Sequence, residues 1–395
     1  MATTTPDAVP VRPPLLLDEN VGFLRRIWRG RIWYGAEWYI TIFGALILVF
    51  MTTMTLMAPR IAPYDPNEFV GAQFTPPGRG EQALLARAGE SPVGPGADLT
   101  GLVIGVQRNQ NGVSLAKEIG ASGERFMDEA SLLAALEGGQ VDLMFLSQEK
   151  VPDVLARQPG FEVVDRDLGR SFLLGTDNLG RDILSRLMWG ARTVLGVALL
   201  SAILSSSVGI SLGLVSGFVG GAVDRVLSLA MDSVYSFPGL LLAVAMAAML
   251  GPGLINVAVA ISVIYIPTFF RVVRGQVLSI KEELYVEAAR SIGARPVTIL
   301  ARYIFPNVIP SVAVVFSLNV ADAILTEAGL SFVGLGLPPD IPDWGYDLSK
   351  GQSFLVAGHW WMVTFPGILI TFVAMGFSLL GEGLSEILNP RLVKS

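Results

Sequence analysis

Residues 193–223 read TVLGVALLSAILSSSVGISLGLVSGFVGGAV, without one charged side chain. A bilayer's hydrocarbon core, about 30 Å thick, needs about 20 apolar helical residues to cross it. This stretch is long enough, and the same reading repeats on both sides of it. Trp38 to Met57 is uncharged between Glu37 and Arg60. Arg225 to Leu250 is a third apolar stretch, interrupted by Asp232, and Gly251-Pro252-Gly253 then signals a turn. Leu254 to Phe270 makes a fourth, Val308 to Leu330 a fifth carrying Asp322 and Glu327, and Trp361 to Leu380 a sixth. The expected fold class is an all-α polytopic membrane protein with six transmembrane helices.

Composition agrees. The chain has 395 residues, 52% hydrophobic and 16% charged, with a mean hydropathy of +0.56. Soluble domains carry about 25% charge, so disorder and an ordinary soluble enzyme are both excluded. There is no Cys and one His, His359. Thiolate metal sites, a cysteine nucleophile and a multi-histidine metal site are therefore ruled out, and no metal ligands are expected. The net charge of −6 argues against nucleic acid as a partner. The acidity is local: from Pro59 to Leu174 there are 16 Asp and Glu against 10 Lys and Arg, while the rest of the chain is balanced.

Basic residues set the expected orientation. The arm 1–36 holds no apolar run of signal-peptide type. From Phe23 to Tyr39, Arg25, Arg26, Arg29 and Arg31 alternate with Trp28, Trp33, Tyr34 and Trp38. That mixture reads as an interfacial helix against lipid headgroups or as a basic flank fixing orientation. The segment Arg271–Arg302 has an excess of Arg, and the tail ends with Arg391 and Lys394. With six spans all three fall on one side, the cytoplasm. The first span is taken as 37–58. The acidic segment 59–174 then lies outside, as does Gly334 to Trp360.

Within the acidic segment, Phe74 to Asp98 is Gly/Pro-rich and expected to be irregular. After it, strands at Leu102–Gln107, Arg125–Met127, Val141–Leu146 and Phe161–Val164 alternate with helices at Ser114–Ile119, Glu129–Glu137 and Val151–Arg157. Alternation of this kind predicts a small α/β insert, about 98–168, with a largely parallel sheet. The order Leu-Thr-Gly-Leu-Val-Ile-Gly-Val-Gln (99–107), Ala-Ala-Leu-Glu-Gly-Gly-Gln-Val-Asp-Leu (134–143), Gly-Phe-Glu-Val-Val (160–164) resembles one lobe of the periplasmic solute-binding proteins. A passive cap, a docking surface for a binding protein and a partial ligand site all remain open for it. Asp142 suits either a site or the cap of a turn.

The segment 271–306 carries the mechanism. Lys281 to Ser291 is built of good helix formers, Gly293 can end that helix with a positive φ, and Pro296 can open a second helix at its first turn. Two short helices joined by a sharp bend would project from the membrane. Small Ala288 and Ala289 would admit another surface closely, and Glu287 with its neighbouring Arg residues would offer ion pairs. A solvated helical linker is the alternative.

Glu287-Ala288-Ala289, Gly293 and Ile304-Phe305-Pro306 resemble the EAA loop of ABC-importer permeases, with Tyr303 and Phe305 where that family usually has Ile and Leu. Three further stretches resemble the C-type subunit of its dipeptide/oligopeptide/nickel branch. They are Leu174-Gly-Thr-Asp-Asn-Leu-Gly-Arg-Asp182, Asp232 with Ser236-Phe237-Pro238, and Leu330-Ser-Phe-Val-Gly-Leu-Gly336 with Pro338 and Trp344-Gly345. The end Leu388-Asn389-Pro390-Arg391 fits with Asn in place of Asp. The resemblance covers about Gly22 to Arg391 except the insert, where typical members have a much shorter loop. It implies a core permease domain over 175–395 of type I ABC-importer fold. Glu287, Ala288, Ala289, Gly293 and Pro306 would couple it to an ATPase.

The resemblance also implies partners: a homologous B-type permease subunit, two ATPase subunits, an extracytoplasmic solute-binding protein, membrane lipid and a peptide substrate. It places the chain in a bacterial or archaeal inner membrane with both termini cytoplasmic. No Gly-x4-Gly-Lys-[Ser/Thr] phosphate loop is present, so the expectation is a transporter subunit, not an enzyme. It would bind no cofactor of its own, ATP and Mg belonging to the partners. Nickel or another small solute is the alternative cargo. A ligand-sensing receptor using the insert, or an ion-driven carrier, is the alternative class.

Among candidate site residues, Asp177, Gly180, Arg181 and Asp182 would form a local network fixing the start of the second span, or touch the binding protein or substrate. Asp232, Asp322 and Glu327 are costly in hydrocarbon and should face protein, partner or water. There they would hold structural hydrogen bonds or line the path, where carboxylates meet a peptide's cationic amino end. Pro238, Pro306 and Pro310 read as span boundaries or kinks, and His359 as interfacial.

Overall fold

The computed structural model describes residues 36–71, 73–78, 80–89, 99–107, 116–117, 119–147 and 150–388. The basic, aromatic arm before residue 36 and the Asn389–Arg391 ending fall outside them, as does half of the expected helix Ser114–Ile119.

In chain order the elements begin with α1 (Ala36–Ile61) and the strands β1 (Gly80–Arg87), β2 (Val103–Gln107) and β3 (Ser122–Phe126). Next come α2 (Glu129–Glu137), β4 (Leu143–Ser147), α3 (Val151–Arg157) and β5 (Phe161–Ser171). The helical part follows as α4 (Ile183–Val219), α5 (Gly221–Tyr235), α6 (Gly239–Leu250), α7 (Leu254–Ile280) and α8 (Leu284–Ser291). It closes with α9 (Pro296–Ile299), a π-turn at Leu300–Ile304, α10 (Phe305–Phe332), α11 (Trp344–Gln352) and α12 (Trp361–Leu388). The described residues divide into two units. One comprises those up to Met57, Gly190–Ser349 and those from Gly367 on; the other comprises Ala58–Trp189 and Lys350–Pro366.

In the helical unit, five helices are long and apolar enough to cross a membrane: Trp38–Ile61, Ile183–Val219, Leu254–Ile280, Pro296–Phe332 and Trp361–Ser385. The third expected span, Arg225–Leu250, is not a straight helix. It breaks into α5 and α6, which meet at 89°. The cause is local: Pro238 lacks an N–H and pushes Phe237 away from helical geometry. α5 keeps no residue buried and carries Asp224 and Asp232, while α6, with 12 residues, is about 18 Å long.

The bent pair nonetheless carries the chain from one end of the bundle to the other. α4 and α7 run parallel along a seam of small residues. A Cβ on Gly209 would meet Ile266 O at 2.7 Å, one on Gly213 Phe270 O at 2.8 Å, and one on Gly217 the Val277 Cβ at 2.8 Å. Spacing of four keeps the three glycines on one face, so the backbones approach closely, as small-residue seams allow in membranes. At the far end Lys281 Nζ donates to Gly217 O at 3.2 Å. Because α4 and α7 point the same way, the chain between them must return. With α5–α6 counted as one crossing the number is six. α1 and α12 are antiparallel: a Cβ on Gly44 would meet Gly376 O at 2.8 Å, and Gly383 abuts Thr41.

The second unit contains the α/β insert. Its five strands lie in the order β3-β2-β4-β1-β5. β2 pairs in parallel with β3 and β4, and β1 is antiparallel to both β4 and β5. Four strands thus share a direction and one opposes them. That opposing strand corrects the reading of Phe74–Asp98 as irregular. Glu81-Gln82-Ala83-Leu84-Leu85-Ala86 has no β-branched residue, so local propensity is silent. Its burial decides: Ala83 and Leu85 join Leu132, Leu136, Met144 and Val154 on one face, and Leu84 and Ala86 join Ile104, Leu143 and Phe145 on the other. Alternate side chains point to opposite faces of a strand, so β1 can seal both.

The last strand is longer than expected, reaching Ser171, because β1 offers it a pairing edge from Gly80 to Arg87 with shifts of register near Gln82 and Leu84. Helix α2 begins and ends as its sequence predicts. Asp128 caps it by accepting Ser131 N at 2.8 Å, which lowers the Asp128 carboxyl below its usual range. Asp142 caps no turn: it ties the starts of β2 and β4 together, its carboxylate accepting Val103 N at 2.9 Å and its own N–H donating to Val103 O at 2.9 Å.

Candidate functional site

The bent element between α7 and α10 is a knob with its own core. Val286 and Ala289 of α8 and Ile299 and Ile304 beyond the bend pack on Val273, Val277 and Val308 of the two long helices. A buried Val or Ile contributes about 1.5–3 kcal/mol, so the knob is fixed to α7 and α10 and a push on it reaches both. α8 starts at Leu284, not Lys281, because α7 runs on to Ile280 and the chain turns through Lys281–Glu283. Gly293 sits at φ +81° with open space around it, so conformation alone demands glycine. Pro296 occupies the first turn of α9 and Pro306 that of α10.

The outer face of the knob presents Leu284, Ala288 and Ile292, at the helical spacing of four, with Glu287 and Arg290 beside them. Leu284 is 81% exposed and Ile292 82%. Ala289 corrects the sequence reading: it faces inward and is buried, so Ala288 alone of the two alanines is at the surface.

Asp177, Gly180, Arg181 and Asp182 come together in a closed turn before α4. Asp177 Oδ1 accepts the N–H groups of Leu179 at 2.8 Å and Arg181 at 2.9 Å. Arg181 Nε donates to Asp177 Oδ2 at 2.6 Å. Gly180 takes φ +75°, and its carbonyl accepts Val70 N and Gly71 N. Asp182 caps α4 by accepting Ser185 N at 2.8 Å and Ser185 Oγ at 2.6 Å. Burial pushes the Asp182 carboxyl up despite those bonds. All three charged residues are buried. Their contacts are internal, so the surface role left open by sequence is not supported. His359 stacks on Phe74 with ring centroids 4.1 Å apart and meets Trp361 edge-on.

The three intramembrane carboxylates separate. Asp232 pairs with Arg271 Nη2 at 2.7 Å, and that guanidinium lies 3.8 Å from the centre of the Tyr235 ring. Both ends of this pair are open, Arg271 at 42% and Asp232 at 60% side-chain exposure. Asp322 is exposed on α10, one turn from Thr326, whose hydroxyl meets Tyr265 OH at 2.9 Å. Glu327 is fully buried beside Ser331 and is corrected from path-lining to internal.

Two partners went unread in the sequence. Asp224 receives Arg274 through two nitrogens, at 2.5 and 2.7 Å, and Ser216 Oγ at 2.5 Å. Its signal was a single charge following the uncharged run 193–223. Asp343 precedes the Trp344-Gly345 already singled out. No group of three or more metal-binding side chains occurs among the described residues.

Five long apolar helices and the bent α5–α6 pair make this a polytopic helical membrane protein. Residues 209–394 match the family model described as binding-protein-dependent transport system inner membrane component. A "glutathione transport system permease protein GsiD" of Pectobacterium atrosepticum is 42% identical over 220 residues, covering 55% of this chain and 72% of that protein. A putative peptide transport system permease protein of Brucella suis is 40% identical over 224 residues, covering 57% and 75%. One chain of the MetNI methionine ABC transporter in inward facing conformations aligns at TM-score 0.44 and 18% identity, covering 53% of this chain and 97% of that one. The chain belongs to the binding-protein-dependent transport system inner membrane component family. It is the multi-pass membrane permease of an ABC importer, a component that is not itself the ATPase.

Proposed function

We propose that this permease forms half of a translocation path for di- or oligopeptides and takes its motion from an ATPase through the knob. The observation that carries the coupling role is the knob's two-sided build. Val286, Ala289, Ile299 and Ile304 fix it to α7 and α10, while Leu284, Ala288 and Ile292 stay uncovered. An apolar stripe edged by Glu287 and Arg290 fits a groove on a protein partner, and a closing partner would then bias a two-state bundle. Two ATPase subunits, a homologous permease and a solute-binding protein complete the assembly. The ATP and Mg sites lie on the ATPases.

The peptide reading rests on relatives named for glutathione and peptide transport. Asp232 and Arg271 support it. An ion pair left open on a membrane helix must face a path or a partner, and it presents one anion and one cation to a solute that has both. The knob, the chain ends flanking α1 and α12, and the Arg-rich 271–302 segment lie in the cytoplasm, and the insert lies outside.

A depression of about 430 Å³ on the insert is lined by Arg87, Glu137, Arg157, Gln158 and Phe161. It sits at the amino ends of the parallel strands, opposite the edge where open α/β sheets hold ligands. That favours a cap or docking surface over a receptor. The test is uptake of labelled dipeptide by proteoliposomes holding the whole complex. ATP-dependent uptake supports the reading. ATP-driven uptake of nickel but not peptide would transfer it to the other cargo.

A further inference from the structure

Ser331 lies between two buried carboxyl groups. Its Oγ is 2.5 Å from Asp343 Oδ2 and 3.1 Å from Glu327 Oε1. Glu327 and Asp343 are 0% exposed and Ser331 2%. Asp343 has a second donor, Gly345 N at 2.8 Å from Oδ1. At Glu327 no N–H or hydroxyl reaches the buried Oε2, and its carboxyl lies directly against that of Asp343. A serine hydroxyl carries one proton. It can donate to one of its two neighbours, and the shorter contact, to the carboxylate that already accepts Gly345 N, takes it. The remaining contact joins two oxygens with no proton between them unless Glu327 supplies one.

We infer that Glu327 is a neutral carboxylic acid that donates to Ser331 Oγ, which donates in turn to an ionised Asp343. The site binds a single proton and uses it as a clasp, tying the segment from Val333 to Asp343 back onto α10. Two ionised carboxylates would leave one acceptor empty and two like charges out of water, a cost of several kcal/mol per ion. Asp347, on α11, places a further negative charge near Asp343, which disfavours a second ionised carboxylate beside it.

The surrounding sequence is shaped to seat the hydroxyl. A Cβ on Gly345 would meet Ala328 O at 2.5 Å and Ser331 Cβ at 2.8 Å, and Gly336 abuts Ser331 directly. Gly334 turns the chain at φ +85°. Trp344 is fully buried, and a Cβ on Gly190 would meet its ring at 2.8 Å. This gives Leu330–Gly336 and Asp343–Gly345 one physical purpose, and it adds a proton-holding role to the two acidic residues that is separate from ATP coupling.

Infrared difference spectra of the purified complex at neutral pH test it. Wild type minus Glu327→Gln should show the carbonyl stretch of a protonated carboxyl, and the variant should keep the wild-type melting temperature, because an amide N–H donates where the acid did. Ser331→Ala should shift that band to higher frequency by removing its hydrogen bond, a readout that holds even if the first variant fails to assemble. No protonated-carboxyl band, or a band indifferent to Ser331→Ala, overturns the inference. So does a wild-type melting temperature that rises with added sodium or magnesium while that of Glu327→Gln does not, since a metal ion would then hold the site.

Discussion

Arg181 and Asp177 close a five-residue loop on themselves: the Arg181 side chain donates to one carboxylate oxygen of Asp177 at 2.6 Å and its backbone N–H to the other at 2.9 Å. Both side chains are 8% exposed. Removing one partner of a buried pair strands the other and costs about 3–5 kcal/mol. Arg181→Ala should therefore lower the melting temperature of the detergent-solubilised protein sharply. Normal stability with lost binding-protein attachment would assign the pair a surface role instead.

Asp182 gives a pH dependence. Its carboxyl is raised by burial, so the folded protein holds that proton more tightly than the unfolded chain does. Stability then falls as pH rises from the ordinary Asp value through the raised one. Asp182→Asn keeps an acceptor for Ser185 and should flatten this part of a melting-temperature profile recorded from acid to neutral pH. An unchanged slope would place the titration elsewhere.

The seam between α4 and α7 allows a controlled steric test. Gly213→Val forces a side chain against Phe270 O and Val273, where overpacking costs about 1–3 kcal/mol. Gly196→Val, on the same helix, meets nothing within 4 Å and should leave the thermal transition of the purified protein unchanged. Equal effects from the two would mean that α4 and α7 are not held by close approach.

Much of this architecture was legible because long uncharged runs have one physical use. The crossings at Trp38, Leu254 and Trp361 start within two residues of where hydropathy places them. Boundaries slipped where a polar cap extends a helix. Asp182 starts α4 at Ile183, ten residues before the uncharged run, and the helix tolerates Arg186 and Arg192. β1 was illegible because its residues favour no strand and only the two half-cores it seals make it one. The 89° bend was half legible: Pro238 marked a break but not its angle. At the knob, spacing showed the bend at Gly293 but not which alanine faces out, since that depends on what α7 and α10 supply underneath. The carboxylates looked alike in sequence; Ser331 and Asp343 separate Glu327 from the others, and neither lies on the same turn.

Gly293 makes the bend testable. Any other L-residue at φ +81° pays about 1–2 kcal/mol, with Asn the best tolerated. Gly293→Val should reduce copurification of the ATPases, and Gly293→Asn should preserve most of it. Full attachment with Val would show that the two short helices need not hold this angle.

The central claim is that an ATPase drives the bundle through the exposed stripe of α8. The most direct measurement is ATP-dependent peptide uptake by the reconstituted complex carrying Leu284→Glu and Ile292→Glu, two exposed positions whose change leaves the knob's own core intact. Loss of ATPase copurification and a fall in uptake of at least tenfold, with the permease still inserted and folded, is the expected result. Uptake at the wild-type rate with the ATPases still bound would contradict the account.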